Sequence, residues 1–304
     1  MAAKKPKTDR VAAFRVIAVF VVPFLTAVSK LDIRGRENVP RTGAFVLSPN
    51  HYSNIDPLIM AWALWRSGRA PRFLAKASLW KIPVVRFALE KSGQIPVERA
   101  GATRGSAPLA AATRVVDEDA AVIVYPEGTL TRDPDLWPMR GKTGAARLAL
   151  EQGVPLIPAA HWGTQKLLPR YSKRLHGVPR KRIEVLFGPP VDLDDLRGRP
   201  LNSKTLNEAT YRIMAAITAL VEDLRGETAP AERWNPSAHG QSEFGRMGDG
   251  RDGAASRADL SGTTGVVAAG SAASAAAGAT DPGPSAADDA PGAHDDGATT
   301  GRTA

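Results

Sequence analysis

The sequence predicts an α/β domain built on a mostly parallel central sheet flanked by helices. Three observations predict it. Apolar runs at 43–47 and 120–125 have the length and near-continuous hydrophobicity of strands covered on both faces. Segments of helical composition fall between such runs, at 58–65, 107–116 and 142–150. Strand and helix then alternate along the chain, the pattern of βαβ units and a parallel sheet.

The elements follow in order. Lys4, Lys5, Lys7 and Arg10 precede an apolar stretch, 11–28, interrupted by Arg15 and Pro23. Fourteen uncharged residues separate Arg15 from Lys30, whereas a spanning helix needs about 20. The stretch therefore reads as a membrane-surface or shallowly inserted helix, with a signal peptide ending near Ala27-Val28-Ser29 and a buried core helix as the other readings. A short strand at 31–35 and a loop at 37–41 lead to the strand at 43–47. The run 58–65 is a helix opened by Asn54 or Asp56, with Pro57 in its first turn. Residues 72–76 form a strand ending at Lys76, and 83–89 a short helix. A strand at 93–99 contains Pro96, which places it at a sheet edge or a break. After the helix at 107–116 and the strand at 120–125 comes the turn Pro126-Glu127-Gly128-Thr129. A helix at 142–150, strands at 154–160 and 182–187, and a helix opened by Asn202 or Ser203 and running to Leu224 complete the domain.

From Glu227 onward the chain is Ala, Gly, Ser, Thr, Pro and Asp with few large apolar residues. Such a segment cannot bury enough apolar surface to offset its conformational entropy. The expected organisation is an N-terminal membrane-associating segment (1–30), an α/β domain (31–226) and a disordered tail (227–304). The tail holds eleven acidic residues against five arginines, so with +9 on the whole chain residues 1–226 carry about +15. A folded part so basic points to an anionic partner: nucleic acid, anionic lipid or a phosphate-bearing substrate. The basic residues are dispersed and form no nucleic-acid module, which leaves the latter two. Cysteine is absent, excluding disulfides and thiolate nucleophiles, and the five histidines show no metal-ligand spacing.

Sites in open α/β sheets lie beyond the carboxyl ends of the strands. Four polar segments stand there: Asn50 to Asp56, Lys76, Glu98-Arg99 and Glu127 to Thr129. His51 and Asp56 lie five apart, about 140° around a continuous helix, so a turn has to bring carboxylate and imidazole together. The pair reads either as a general base with its orienting partner or as a capped helix with an incidental histidine. His161 and Trp162 follow a strand with no cysteine or serine motif nearby and read as packing. Gly141-Lys142-Thr143 ends like a phosphate-binding loop, but Leu136 stands where that motif needs glycine.

Asn50-His51-x-Ser53-x-x-Asp56 resembles the His-x4-Asp motif of glycerolipid acyltransferases, in particular the bacterial 1-acylglycerol-3-phosphate acyltransferases. Residues 93–99 resemble that family's second block, Tyr125-Pro126-Glu127-Gly128-Thr129 its third, and Val154-Pro155-Leu156-Ile157-Pro158 its fourth, all in family order over roughly 30–190. Three positions depart from the pattern: Tyr125 for Phe, Pro96 for a non-proline apolar residue, and Leu130 where arginine is frequent.

The resemblance implies a glycerol-3-phosphate acyltransferase-like fold. It implies transfer of an acyl group from acyl-CoA or acyl carrier protein to the sn-2 hydroxyl of a lysophospholipid, giving phosphatidic acid. His51 would be the base and Asp56 its support, with direct attack and no acyl-enzyme. Arg99 would bind the acceptor phosphate; Glu127, Gly128 and Thr129 would hold the glycerol–phosphate; Lys76 would face the thioester oxyanion or a phosphate. No cofactor or metal is expected. The expected location is the cytoplasmic side of the cell membrane, on anionic lipid. The competing readings are an acyltransferase for another lysolipid or glycolipid, and a non-catalytic lipid-binding protein on the same fold.

Overall fold

A computed structural model describes residues 12–76, 81–91, 94–97 and 115–242. The basic cluster before position 11, Glu98, Arg99, most of the expected 107–116 helix and everything after 242 lie outside the described residues.

The strands are β1 (Ser29–Arg34), β2 (Phe45–Pro49), β3 (Pro71–Lys76), β4 (Ile95–Val97), β5 (Ala121–Ile123), β6 (Leu156–Trp162) and β7 (Lys181–Phe187). They form one seven-stranded sheet in the order β1-β7-β6-β2-β5-β3-β4. Every neighbouring pair is parallel except β6 and β7, as the alternating pattern predicts. Pro96 lies in β4, the edge strand, where a missing N–H costs no ladder bond.

The helices are α1 (Ala12–Val28), α2 (Asp56–Arg66), α3 (Pro83–Lys91), α4 (Gly144–Gln152), α5 (Thr164–Leu167) and α6 (Ser203–Arg225). Strand residues alternate between two apolar clusters. Phe45, Leu47, Ala121, Ile123 and Ile157 pack with α2 and with Leu25 of α1. Val46, Val122, Leu156 and Ala160 pack with α4 and α6. The sheet is therefore covered on both sides, which is why its strands read as unbroken apolar runs.

Local signals set the ends. Asn202 caps α6, its Oδ1 accepting from the Thr205 N–H at 3.0 Å. Gly35 has a φ of 73° and lies so close to the Phe187 carbonyl that a Cβ there would overlap it, so only glycine lets β1 turn past β7.

Two expectations change. The strand expected from residue 31 begins at Ser29, and Leu25 is buried, so the end of α1 belongs to the domain rather than to a separate segment. The chain also remains packed past 226. The Arg140 N–H donates to the Trp234 carbonyl at 2.9 Å, Pro236 is buried, and Trp234 stacks on His239 at 3.5 Å. The boundary expected at 227 thus moves to at least 242, because Trp234 and Pro236 supply apolar surface that the following residues lack. Among the described residues no helix is long and apolar enough to cross a membrane.

Candidate active site

Strands β2, β3, β4, β5 and β6 are mutually parallel, so their carboxyl ends share one edge. The segment after β2 supplies His51 and Asp56, the segment after β5 supplies Glu127, and β6 ends at His161 and Trp162.

Between β2 and α2 the chain makes the turn that the sequence requires. Asp56 opens α2 but does not cap it; Ile55 occupies the cap position. The Asp56 side chain reaches back instead, and Oδ2 accepts from the Tyr52 N–H at 2.7 Å, the Ser53 N–H at 2.7 Å and His51 Nδ1 at 2.9 Å. Asp56 is fully buried. Burial opposes its ionisation, but His161, His51 and the Ser53 N–H outweigh that penalty and hold the carboxyl below its ordinary 3.8.

Asn50 and Ser53 fasten this turn to β6 and α5. Asn50 Nδ2 donates to the His161 carbonyl at 3.2 Å, Asn50 Oδ1 accepts the His161 N–H at 2.9 Å, and Ser53 Oγ donates to the Leu168 carbonyl at 2.6 Å. The His51 ring stacks on Tyr125, with centroids 4.1 Å apart and planes 27° from parallel. With Nδ1 committed to Asp56, Nε2 is the nitrogen left for a proton.

Glu127 has a role the sequence does not disclose. It is fully buried, Oε1 accepts the His51 N–H at 2.9 Å, and Oε2 accepts the Met139 N–H at 3.1 Å. Each oxygen accepts one backbone N–H, which ties the His51 turn to the 139–142 loop and gives Glu127 a positioning role. Burial pushes the carboxyl up to about 8; the N–H groups of Met139 and His51 and the Thr131 hydroxyl pull the other way.

Glu127→Gln is expected to cost about 1–3 kcal/mol, because one amide oxygen cannot accept from two buried N–H groups. Its folded-state titration near 8 lies above the ordinary 4.5, so the folded protein holds a proton that the unfolded chain releases in between. That contribution is complete below 4.5 and is lost as pH rises through about 8. Urea unfolding across this range should therefore show the gap between wild type and Glu127→Gln narrowing as pH rises.

Gly128 has a φ of 72°, and a Cβ would come within 3.1 Å of Lys142 Cδ; its presence is explained by the turn. Thr129 is half-buried beside it. A cavity of about 220 Å³ opens next to Glu127, lined by Arg140, Lys142, Thr143, Asn207 and Pro236 but not by His51. Lys76 ends β3 opposite Val97 of β4, on the same sheet edge as the other strand ends. Arg99 lies outside the described residues.

The comparisons with known proteins concern the matched span and the fold. The Acyltransferase family model matches residues 30–162, a span that begins in β1 and ends at Trp162. Through that span the chain is similar to the acyltransferase family. A chloroplastic 1-acyl-sn-glycerol-3-phosphate acyltransferase, BAT2 of Brassica napus, is 31% identical over 195 residues, covering 62% of this chain and 54% of that protein. The 1-acyl-sn-glycerol-3-phosphate acyltransferase of Borreliella burgdorferi is 31% identical over 137 residues, covering 44% and 52%. The chain spans about half the length of these relatives. The crystal structure of PlsC, the 1-acyl-sn-glycerophosphate acyltransferase of Thermotoga maritima, shares the fold with a TM-score of 0.51 at 23% identity, over 71% of this chain and 81% of that one.

Within the matched span, sequence reasoning passed over His161. It is fully buried, as packing requires, yet Nε2 lies 3.0 Å from the Asn50 carbonyl and 3.5 Å from Asp56 Oδ2. The signal that would have found it is register: Pro49 pairs with Ala159 in parallel strands, so His161 stands beside the residues that follow Pro49.

Proposed function

We propose that this protein transfers an acyl group from a thioester, acyl-CoA or acyl carrier protein, to the free sn-2 hydroxyl of 1-acylglycerol-3-phosphate, giving phosphatidic acid. The observation that carries the reading is the 2.9 Å contact from His51 Nδ1 to the buried Asp56 carboxylate. The relatives named above support the substrate class.

A neutral alcohol is a weak nucleophile. His51 Nε2 takes its proton as the oxygen attacks the thioester carbonyl carbon, and Asp56 stabilises the imidazolium that forms. Collapse of the tetrahedral adduct breaks the C–S bond, and the departing thiolate takes that proton from His51. The lost proton and the leaving group balance, and no acyl-enzyme is needed. Arg99 is assigned the acceptor phosphate and Lys76 the oxyanion or a phosphate, on the family resemblance.

A screen of donors against acceptors with purified protein tests the reading. Turnover should be greatest with lysophosphatidate. Greater turnover with another lysolipid or a glycolipid would move the acceptor, and vesicle binding with no thioester cleavage on any acceptor would leave a lipid-binding protein.

Membrane association belongs to the same proposal. On α1, Val19, Phe20 and Phe24 are exposed by 66%, 74% and 47%, while Leu25 is buried in the core. A helix with one apolar face anchored and another bare, on a basic domain, suits the surface of an anionic bilayer on the cytoplasmic side, where acyl thioesters are found. Phe20→Glu with Phe24→Glu should reduce sedimentation with anionic vesicles by at least about tenfold, since burying each phenyl ring contributes roughly 1.5–3 kcal/mol. Unchanged sedimentation would remove α1 from the interface.

A further inference from the structure

Asp56 is shared by two histidines, and the sequence motif contains only one of them. The neighbours of His161 Nε2, the Asn50 carbonyl and Asp56 Oδ2, are both acceptors, so Nε2 carries the proton and donates. Nδ1 is then the bare nitrogen and accepts from the Thr164 hydroxyl at 3.4 Å. The Tyr52 ring meets the imidazole edge-on at 5.2 Å, and the Asn50 side chain holds both the N–H and the carbonyl of His161. Leucine would fill a similar volume. What the imidazole adds is an N–H that meets the Asn50 carbonyl at 3.0 Å and also lies 3.5 Å from Asp56 Oδ2.

We propose that His161 is a positioning residue for acyl transfer: its Nε2–H shares Asp56 Oδ2 with His51 and thereby sets the basicity of His51. The proposal rests on the acyl-transfer reading above. A donor on Oδ2 draws off part of the carboxylate charge and lowers the affinity of the His51–Asp56 pair for a further proton. Removing the donor strengthens the pull of Asp56 on the His51 proton, so the acid limb of the pH profile moves up.

Of the other titratable groups around the pair, Glu127 changes charge near 8 and the two tyrosines stay neutral. Burial first, and then nearby carboxylates, keep the Tyr52 and Tyr125 phenols far above their ordinary 10.0 and therefore neutral. Glu127 accepts the His51 N–H and is pushed up by burial and also by the Asp56 charge, and it is present unchanged in every variant compared below. Burial holds His161 itself below its ordinary 6.5, with Asp56 opposing, so it is neutral in its resting form.

The test compares His161→Leu, which removes the donor, with His161→Gln, whose amide nitrogen reaches about as far as Nε2. In His161→Leu, kcat should fall at least about tenfold, the usual scale for a hydrogen bond to a charged group. The acid limb of kcat/KM should move to higher pH while KM for the acyl donor stays put. His161→Gln should recover most of kcat and restore the limb. An NMR titration of the His51 imidazole, which needs no turnover, should show the same upward shift in His161→Leu.

A fall in kcat with limb and titration both unmoved would show that His161 only packs and would overturn the proposal. An unmoved His51 titration overturns it whatever the activity. Wild-type protein that turns over no acceptor, with the titration shift present, would instead defeat the acyl-transfer reading and leave the coupling intact. If His161→Leu does not fold, His161→Asn takes its place, because its shorter amide falls short of Asp56. It should show the upward shift that His161→Gln does not, and equal titrations in the two would overturn the proposal.

Discussion

His51→Ala is expected to lower kcat by roughly 10²- to 10⁴-fold, the range a positioned general base contributes. The geometry makes the loss specific to chemistry. His51 is half-buried, with Nδ1 bound to Asp56 and its ring laid on Tyr125, so its orientation is set before substrate arrives. Its backbone N–H to Glu127 Oε1 survives in alanine, so the turn should persist. KM for lysophosphatidate should therefore change little, since the lost interaction forms only as the proton moves. Thiol release from acyl-CoA, measured on lysophosphatidate, checks this. Activity within a few-fold of wild type would end the assignment of His51 as base.

Asp56→Asn is expected to cost on the order of 10²- to 10⁴-fold in kcat, by analogy with the carboxylate of a Ser-His-Asp triad. Asparagine is the informative change because its oxygen can still accept from the Tyr52 and Ser53 N–H groups that Asp56 now satisfies. Alanine would leave both of those donors without their partner in the core, at about 1–3 kcal/mol each, and would confuse unfolding with chemistry. What asparagine removes is the charge, and with it the stabilisation of the His51 imidazolium. The double variant His51→Ala with Asp56→Asn should be little worse than His51→Ala alone, because Asp56 acts through the imidazole. Losses that multiply would mean that Asp56 meets the substrate by another route. Circular dichroism and urea midpoints of all three variants confirm that the fold is retained.

The fold was largely legible because its signals are local. The β2 and β5 runs are short and apolar throughout, and Asn202 announces the start of α6 with its own side chain. Pro96 predicted an edge strand or a break, because a residue without an N–H has few other places in a sheet, and the edge is where it lies. Element ends were less legible. β1 starts at Ser29 rather than 31, and packing continues to at least 242, because both are decided by contacts with distant partners, Lys181 opposite Ser29 and Arg140 against Trp234.

The candidate site divides the same way. The sequence by itself determined the His51–Asp56 pair, since both residues and the turn that joins them lie within six positions, and the fixed order of the four blocks gave that pair its family resemblance. It also determined that the domain is basic and without cysteine. Only the tertiary structure decided where Glu127 and His161 stand and which groups they meet. Glu127 was expected to hold substrate, and the structure adds two backbone N–H groups, one 76 and one 12 positions away, that its oxygens accept. His161 stands 111 positions from Asn50, and nothing near it in the chain marks it out. A hydrogen bond depends on separation in space, and for residues on different strands that separation is set by sheet order and register, which no stretch of sequence carries alone.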